Sequence, residues 1–261
     1  MCLIFLSLHH HPDYKLIVAA NRDEFYARKT SSAEFWKEHP QIVGGRDLEA
    51  GKPDGTCGTW MAMNKNGRIA MVTNYRDLKN LKPVAPSRGY LVTDFLLSDE
   101  FPEKYLKTTE KNKNAYNGFN LIVGNAEELF YLSNYKEGII KIENGFHGLS
   151  NHLLDTPWPK VKRGKEIMKP LFDEKKIDPK KILDALYDEQ QAPDDQLPDT
   201  GVGLERERML SSMFIKSLNY GSRCSTIVTV DQNNKVEFTE RVYDLGTFEF
   251  KEKSFSFDAK G

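Results

Sequence analysis

The chain begins Met1-Cys2-Leu3-Ile4-Phe5-Leu6-Ser7-Leu8, an apolar run with a cysteine directly behind the initiator methionine. A second apolar run, residues 15–20, follows after the turn-forming Pro12-Asp13. Two short apolar runs separated by a polar turn predict a β-hairpin. The first strand of this hairpin would begin at the cysteine. The residues near the open end of the hairpin would therefore surround that cysteine.

Cys2 is the first candidate for chemistry. Removal of Met1 would leave it with a free α-amine, and the same residue would then carry a thiol nucleophile and an amine base with an ordinary pKa of about 7.7–8.0. A retained Met1 would block the amine. The alternative is a buried apolar cysteine at the start of a strand, because free cysteine is among the most buried residue types.

Composition limits the classes of protein that fit. The chain has 261 residues, 39% of them hydrophobic, with 37 basic and 38 acidic residues, so no basic excess predicts a nucleic acid partner. We expect no transmembrane segment, because no apolar stretch approaches about 20 residues. Three cysteines in a chain of this length do not form a disulfide framework, which favours a reducing, cytoplasmic setting.

The element order predicts an α+β fold with antiparallel sheets. Predicted strands near both ends enclose predicted helices, without the regular alternation of a parallel sheet. The predicted strands are residues 3–8, 15–20, 59–64, 68–73, 119–124, 128–133, 138–142, 224–231, 235–242 and 247–257. One helix is predicted to begin after Ser87, and three more are predicted for residues 158–172, 179–189 and 204–218. Residues 44–58 and 191–203 are predicted loops. No linker divides the chain, so we expect one domain over residues 1–261.

The tetrapeptide Asn21-Arg22-Asp23-Glu24 follows the second apolar run without a break. In the predicted hairpin, this end of the second strand lies near the start of the first, so the tetrapeptide would approach Cys2. An aspartate there can hold the α-amine or orient the thiol, and an arginine can lower the thiol pKa. The alternative is a polar turn with a local ion pair.

Asn74, Asn151 and Arg223 also stand at predicted strand ends. An asparagine side chain can donate to a developing oxyanion. Arg223 can anchor a carboxylate or tune a thiolate. Each of them taken singly is typical of a turn, so their value as candidates depends on their coming together.

The chain resembles the NRDE family, also known as the transport-and-Golgi-organisation-two family. The matching segments run in order over nearly the whole chain: residues 1–5, 19–26, 58–60, 73–75, 117–120, 148–151, 156–158, 221–223 and 225–227. That family is in turn similar to cysteine N-terminal-nucleophile hydrolases such as penicillin V acylase and bile salt hydrolase. The resemblance implies a four-layer αββα sandwich and amide-bond hydrolysis without a cofactor.

The same resemblance implies roles for the candidate residues. Cys2 matches the nucleophile and Asp23 the aspartate that holds it, Asn74 and Asn151 match the asparagines of the oxyanion hole, and Arg223 matches an arginine beside the nucleophile. Those acylases have arginine three residues before this aspartate, where this chain has Ala20. Here Arg22 is adjacent to Asp23 instead, which leaves its role open.

A second function comes from another class. Eukaryotic relatives are associated with lipid metabolism, acyl-CoA handling and heme trafficking, so the chain could be a carrier of heme or acyl-CoA on the same fold. His9, His10 and His11 are candidate heme ligands, although they occupy a predicted turn, and Cys2 or Cys57 could supply a thiolate. Other candidates for ligand contact are scattered: Arg22, Arg28, Arg46 and Arg223 for phosphate, and Trp36, Trp60 and Trp158 for an apolar pocket. Metal-ligand spacing and nucleotide-binding motifs are absent from the sequence.

Overall fold

Two antiparallel β-sheets form the centre of the computed structural model, which describes residues 3–260. The first sheet contains, in spatial order, β11 (Gly145–Leu149), β1 (Leu3–Leu8), β2 (Tyr14–Phe25), β12 (Tyr220–Asp231), β13 (Lys235–Tyr243) and β14 (Phe250–Asp258). The second contains β10 (Ile140–Lys141), β9 (Leu129–Ser133), β8 (Phe119–Gly124), β7 (Ile69–Asn74), β6 (Met61–Asn64), β4 (Ile42–Gly51) and β3 (Thr30–Phe35), with β5 (Cys57–Gly58) paired to β4.

Helices cover the outer face of each sheet. On the second sheet lie α1 (Gly89–Leu97) and α2 (Pro102–Lys111), and on the first lie α3 (Pro159–Phe172) and α4 (Pro179–Ala185). A shorter helix, α5 (Leu204–Leu210), precedes β12. Among residues 3–260, no helix has the length and hydropathy that a membrane crossing requires.

The alternation of side chains in β1 explains why four layers form. Ile4 and Leu6 point between the sheets and pack with residues such as Met61, whereas Leu3 and Phe5 point outward and pack with α3 and α4. Successive strand residues face opposite sides, and every residue of β1 is buried, so both faces of this strand need an apolar neighbour. The predicted αββα sandwich is confirmed.

The start of β1 lies between two other strands. Leu3 pairs with Asn21 of β2, and on the other side Ile4 pairs with Leu149 of β11. The hairpin predicted for residues 3–8 and 15–20 is therefore confirmed. Strands from opposite ends of the chain also pair in the centre of the sheet, since β2 lies against β12.

Three sequence predictions were wrong. Of the loop predicted for residues 44–58, only residues 52–56 lie outside strands, because Gly44 and Gly45 belong to β4, where small residues let Ala62 and Trp60 approach closely. Asn21-Arg22-Asp23-Glu24 lies inside β2, not beyond it, because pairing with β12 extends that strand to Phe25. The helix predicted for residues 204–218 ends at Leu210. The sequence interpretation also missed β3 and α2.

Candidate active site

Strand ends from both sheets meet beside the start of β1. Cys2 lies outside the described residues, but the chain enters β1 at Leu3, which pairs with Asn21. Asp23 follows two residues later in β2, and Asn151 follows the end of β11 on the opposite side of β1. The entry to β1 is thus flanked by the two segments that contain Asp23 and Asn151.

Asp23 is a fixed, buried carboxylate. It is 1% exposed, and its Oδ1 accepts a hydrogen bond from the Ser222 hydroxyl at 2.5 Å. Ser222 Oγ in turn accepts from the backbone N–H of Ile215 at 3.0 Å. The register between β2 and β12 shifts at Ser222, so the bulge holds the hydroxyl on the carboxylate. A carboxylate held in this way is pre-oriented for a role in catalysis.

Asn21, the first residue of the same tetrapeptide, has a structural role. Its side-chain amide donates to the carbonyls of Leu186 and Met213, at 2.9 and 2.8 Å, and its Oδ1 accepts from Ser225 at 2.6 Å. These bonds use both amide hydrogens inside a fully buried site. Asn21 therefore ties β2 to the segments that precede β12.

Asn74 and Asn151 contact each other across the two sheets. Asn74 ends β7 of the second sheet, and its backbone carbonyl accepts a hydrogen bond from Asn151 Nδ2 at 3.0 Å. The backbone carbonyl of Asn151 accepts from the N–H of Arg76 at 2.8 Å. Both asparagines line the same pocket. The remaining amide hydrogen of Asn151 can serve as a donor to a bound group.

Arg22 and Arg223 point to different surroundings. Arg22 lines the pocket, is 3% exposed, and its guanidinium carbon lies 4.2 Å from the centre of the Trp60 ring. Arg223 instead donates to the backbone carbonyls of Phe25, Tyr26 and Arg28 at 2.6–3.2 Å, and burial lowers its pKa. The side chain of Arg223 thus stabilises the turn after β2.

The pocket has a volume of about 960 Å³ and is lined by both charged and apolar side chains. Among the charged residues, Arg28 is bound to Asp47 at 2.7 Å and lies close to Glu24 and Glu49. The apolar and aromatic residues of the lining include Trp60, Val72, Tyr75, Leu78, Leu81, Met209 and Leu210. The size and mixed lining of the pocket suit an amphipathic small molecule.

Two pairs in this region were missed by the sequence analysis. Arg76 and Glu207 form a buried ion pair at 2.8 Å that joins α5 to the end of β7. Between the sheets, Glu240 is buried and accepts from the backbone N–H of Ala33 at 2.6 Å, and burial raises its pKa to about 7. Neither pair has a sequence signature, because its partners are far apart along the chain.

The remaining candidates lie elsewhere. His9, His10 and His11 follow β1 at the end opposite Leu3, and carboxylates of Glu127 and Asp173 lie near the first two. Residues 3–260 contain no group of three histidine, cysteine or acidic side chains placed to hold a metal ion. Several other predicted contact residues, namely Cys57, Arg46, Trp36 and Trp158, are not among the described residues that line the pocket.

Comparison with known proteins gives the family. The sequence pattern of the family described as Transport and Golgi organisation 2 matches residues 1–245. The human Transport and Golgi organization protein 2 homolog is 38% identical over 260 residues, covering 92% of each chain. The mouse homolog is 35% identical over 276 residues, covering 98% of this chain and 99% of that protein.

A solved structure shows the same fold. The C2A mutant of conjugated bile acid hydrolase from Clostridium perfringens matches with a TM-score of 0.52 and 9% sequence identity, over 100% of this chain and 94% of that one. At this identity the likeness concerns the fold, which is that of the N-terminal-nucleophile hydrolases. The sequence match identifies the relationship more closely: this chain belongs to the Transport and Golgi organisation 2 family.

Proposed function

We propose that this protein is a cysteine-dependent amidohydrolase that cleaves the nonpeptide C–N bond of a small acyl amide. The observation that carries the proposal is that Asp23 lies in β2 beside the entry to β1, where Asn74 and Asn151 line a pocket of about 960 Å³. Cys2 directly precedes that entry in the chain. A nucleophile, an orienting carboxylate and amide donors are the groups that acyl transfer needs.

The first half of the reaction forms a thioester. The Cys2 thiol gives its proton to the free α-amine, and its sulfur attacks the amide carbon. Asp23 stabilises the resulting ammonium, and the Asn151 side chain donates to the oxyanion. Collapse of the tetrahedral species breaks the C–N bond, and the ammonium proton goes to the leaving amine.

Water completes the cycle. The α-amine takes a proton from a water molecule, whose oxygen attacks the thioester carbon. Collapse of the second tetrahedral species releases the carboxylic acid, and the sulfur recovers its proton. Asn74 contributes to both steps through its carbonyl, which holds the Asn151 amide in place.

The carrier function differs in what it needs from the pocket. A heme carrier needs an axial ligand, for which the pocket lining among residues 3–260 offers Tyr75, Tyr90, Tyr220 and Met209 but no histidine or cysteine. An acyl-CoA carrier would use the apolar part of the pocket without breaking a bond. A heme carrier and an acyl-CoA carrier would both bind their ligand without hydrolysing it.

A comparison of variants tests the proposal. Protein with Cys2 and protein carrying Cys2→Ala are assayed against a panel of acyl amides, with Cys57→Ala as the matched control. Turnover that is lost in Cys2→Ala and kept in Cys57→Ala supports the proposal. Equal turnover by Cys2→Ala and the parent protein removes Cys2 from the mechanism, and a Soret shift on heme titration without any turnover favours the carrier.

A further inference from the structure

We infer that Arg22 is an anion-binding subsite, and that the preferred substrate is an amphipathic acyl amide with a carboxylate or similar anion a few bonds from its amide group. The inference rests on the proposed function, because it specifies the substrate class of the same site. Its basis is the placement of one buried guanidinium in the pocket wall.

The guanidinium of Arg22 is buried without hydrogen-bond partners in the described part of the chain. It is 3% exposed, stacks on Trp60, and lines the pocket. Its nearest carboxylate oxygen, Glu24 Oε2, lies 4.0 Å away, which is beyond hydrogen-bonding distance. A guanidinium has five N–H donors, and those of Arg22 that face the pocket can serve a bound anion.

The nearby Glu24 is shared between several groups. Its Oε2 lies 3.9 Å from Arg28, and its Oε1 accepts from the backbone N–H of Phe25 at 2.9 Å. Arg28 has a closer partner of its own in Asp47. The positive charge of Arg22 also helps to lower the pKa of Arg223, after the larger effect of burial. Of Arg22, Arg28 and Arg223, Arg22 is therefore the cation that has most to gain from a bound anion.

Planar anions fit this site best. A guanidinium binds a carboxylate through two parallel N–H···O bonds, and such charge-assisted bonds strengthen where water is excluded. The Trp60 ring fixes the plane of the guanidinium from one side. Bidentate binding on the edge of the Arg22 guanidinium that faces the pocket would give the site a preference for a carboxylate over a neutral hydroxyl.

The position of Arg22 sets where the anion sits in the substrate. Arg22 precedes Asp23 and follows Asn21, which pairs with Leu3 at the entry to β1. The anion would therefore lie close to the reacting amide. Val72, Tyr75 and Leu81 line the same pocket as Arg22 and can contact the acyl chain.

A matched pair of ligands tests the inference without requiring turnover. Binding of N-dodecanoylglycine and N-dodecanoylethanolamine is measured by calorimetry on the Cys2→Ala protein. These amides share the acyl chain and differ in carboxylate against hydroxyl. We expect the glycine conjugate to bind about 10- to 100-fold more tightly, as for a hydrogen bond to a charged group.

Variants then assign the preference to one side chain. Arg22→Gln should bring the two affinities to within about threefold, Arg22→Lys should keep an intermediate ratio, and the control Arg46→Gln, outside the pocket, should keep the full ratio. Equal affinities in the Cys2→Ala protein, binding of neither amide, or an equal loss of preference in Arg46→Gln would overturn the inference. The first of these results needs no Arg22 variant, so it stands even if that variant fails to fold.

The two proposals can fail separately. A carboxylate preference without any hydrolysis by the Cys2 protein would support the anion subsite and contradict the amidohydrolase. Hydrolysis of both amides with equal kcat/KM and equal binding would support the amidohydrolase and contradict the subsite.

Discussion

Asp23 and Glu240 are both buried carboxyl groups of the first sheet, and the fold treats them differently. Asp23 accepts from the Ser222 hydroxyl beside the entry to β1. Glu240 lies between the sheets, where its Oε1 accepts from the backbone N–H of Ala33 and burial raises its pKa to about 7. The contact with Ser222 gives the Asp23 carboxyl group a fixed orientation, whereas burial of Glu240 favours its proton-bearing form.

Replacing Asp23 with asparagine should remove most of the activity. The amide keeps an acceptor for Ser222 but cannot stabilise a protonated α-amine, so we expect kcat to fall by about 100-fold or more. The measurement is steady-state hydrolysis of an acyl amide, with circular dichroism to check the fold. Ser222→Ala is the control and should cost less, since it leaves the carboxylate charge in place. Activity of Asp23→Asn within threefold of the parent would contradict the assigned role.

Glu240 should make stability depend on pH near neutrality. Burial raises its pKa from 4.5 to about 7, an effect partly offset by the Ala33 N–H, Cys224 and Arg22. Between these two pH values the folded protein binds a proton that the unfolded chain has released. This contribution is therefore fully present below pH 4.5 and is lost as the pH rises through 7.

Comparison with Glu240→Gln isolates the effect of Glu240. Relative to this variant, the free energy of unfolding of the parent should fall by about 3 kcal/mol between pH 4.5 and 8. Urea denaturation at several pH values measures the difference. A difference between the two proteins that stays constant over this range would show that Glu240 titrates at its ordinary pKa.

At the scale of elements, β4 sets the position of Trp60. A Cβ atom on Gly45 would lie 2.2 Å from the Trp60 ring, whereas one on Gly51 of the same strand would meet nothing within 4 Å. Gly45→Ala should therefore destabilise the protein by about 1–3 kcal/mol and displace the ring under Arg22. Gly51→Ala should stay within about 0.5 kcal/mol of the parent. Chemical denaturation compares the two variants, and equal stabilities would contradict this packing.

The Arg76–Glu207 pair holds α5 beside the pocket. Glu207 also accepts two hydrogen bonds from Thr200, and Met209 and Leu210 of the same helix line the pocket. Removing one partner of a buried ion pair leaves the other charge uncompensated, so Glu207→Gln should destabilise the protein by about 3 kcal/mol. Hydrogen exchange should become faster over residues 197–210, and unchanged exchange there would contradict the role of the pair. Glu205→Gln, on the exposed face of α5, is the control.

Elements with a strong local pattern were predictable from the sequence. The β1–β2 hairpin and the turn at Asn66-Gly67 were predicted correctly, because short apolar runs around a polar turn and a glycine at positive φ leave local signatures. Residues 44–58 were predicted wrongly because two glycines mimic a loop signal. In β4 those glycines instead allow close packing against the neighbouring strand and Trp60.

At the scale of the whole molecule, the two sheets bring together residues that are distant in sequence. Asn74 ends a strand of the second sheet and Asn151 follows a strand of the first, and a hydrogen bond of 3.0 Å joins them. The sequence predicted both as strand-end residues. It could not predict the carbonyl contacts of Arg223 or the Arg76–Glu207 pair, because these depend on how the sheets and α5 stack.

The central claim concerns Cys2, the residue that directly precedes β1 in the chain. If Cys2 is the nucleophile with a free amine, Met1 must be removed and a substrate-like electrophile must modify Cys2. The measurement is intact mass followed by peptide mapping after reaction with a stoichiometric acyl electrophile. The account predicts protein lacking Met1 with a single acyl adduct on Cys2, blocked by a competing acyl amide. Retention of Met1, or an adduct that forms on Cys57 and spares Cys2, would contradict it.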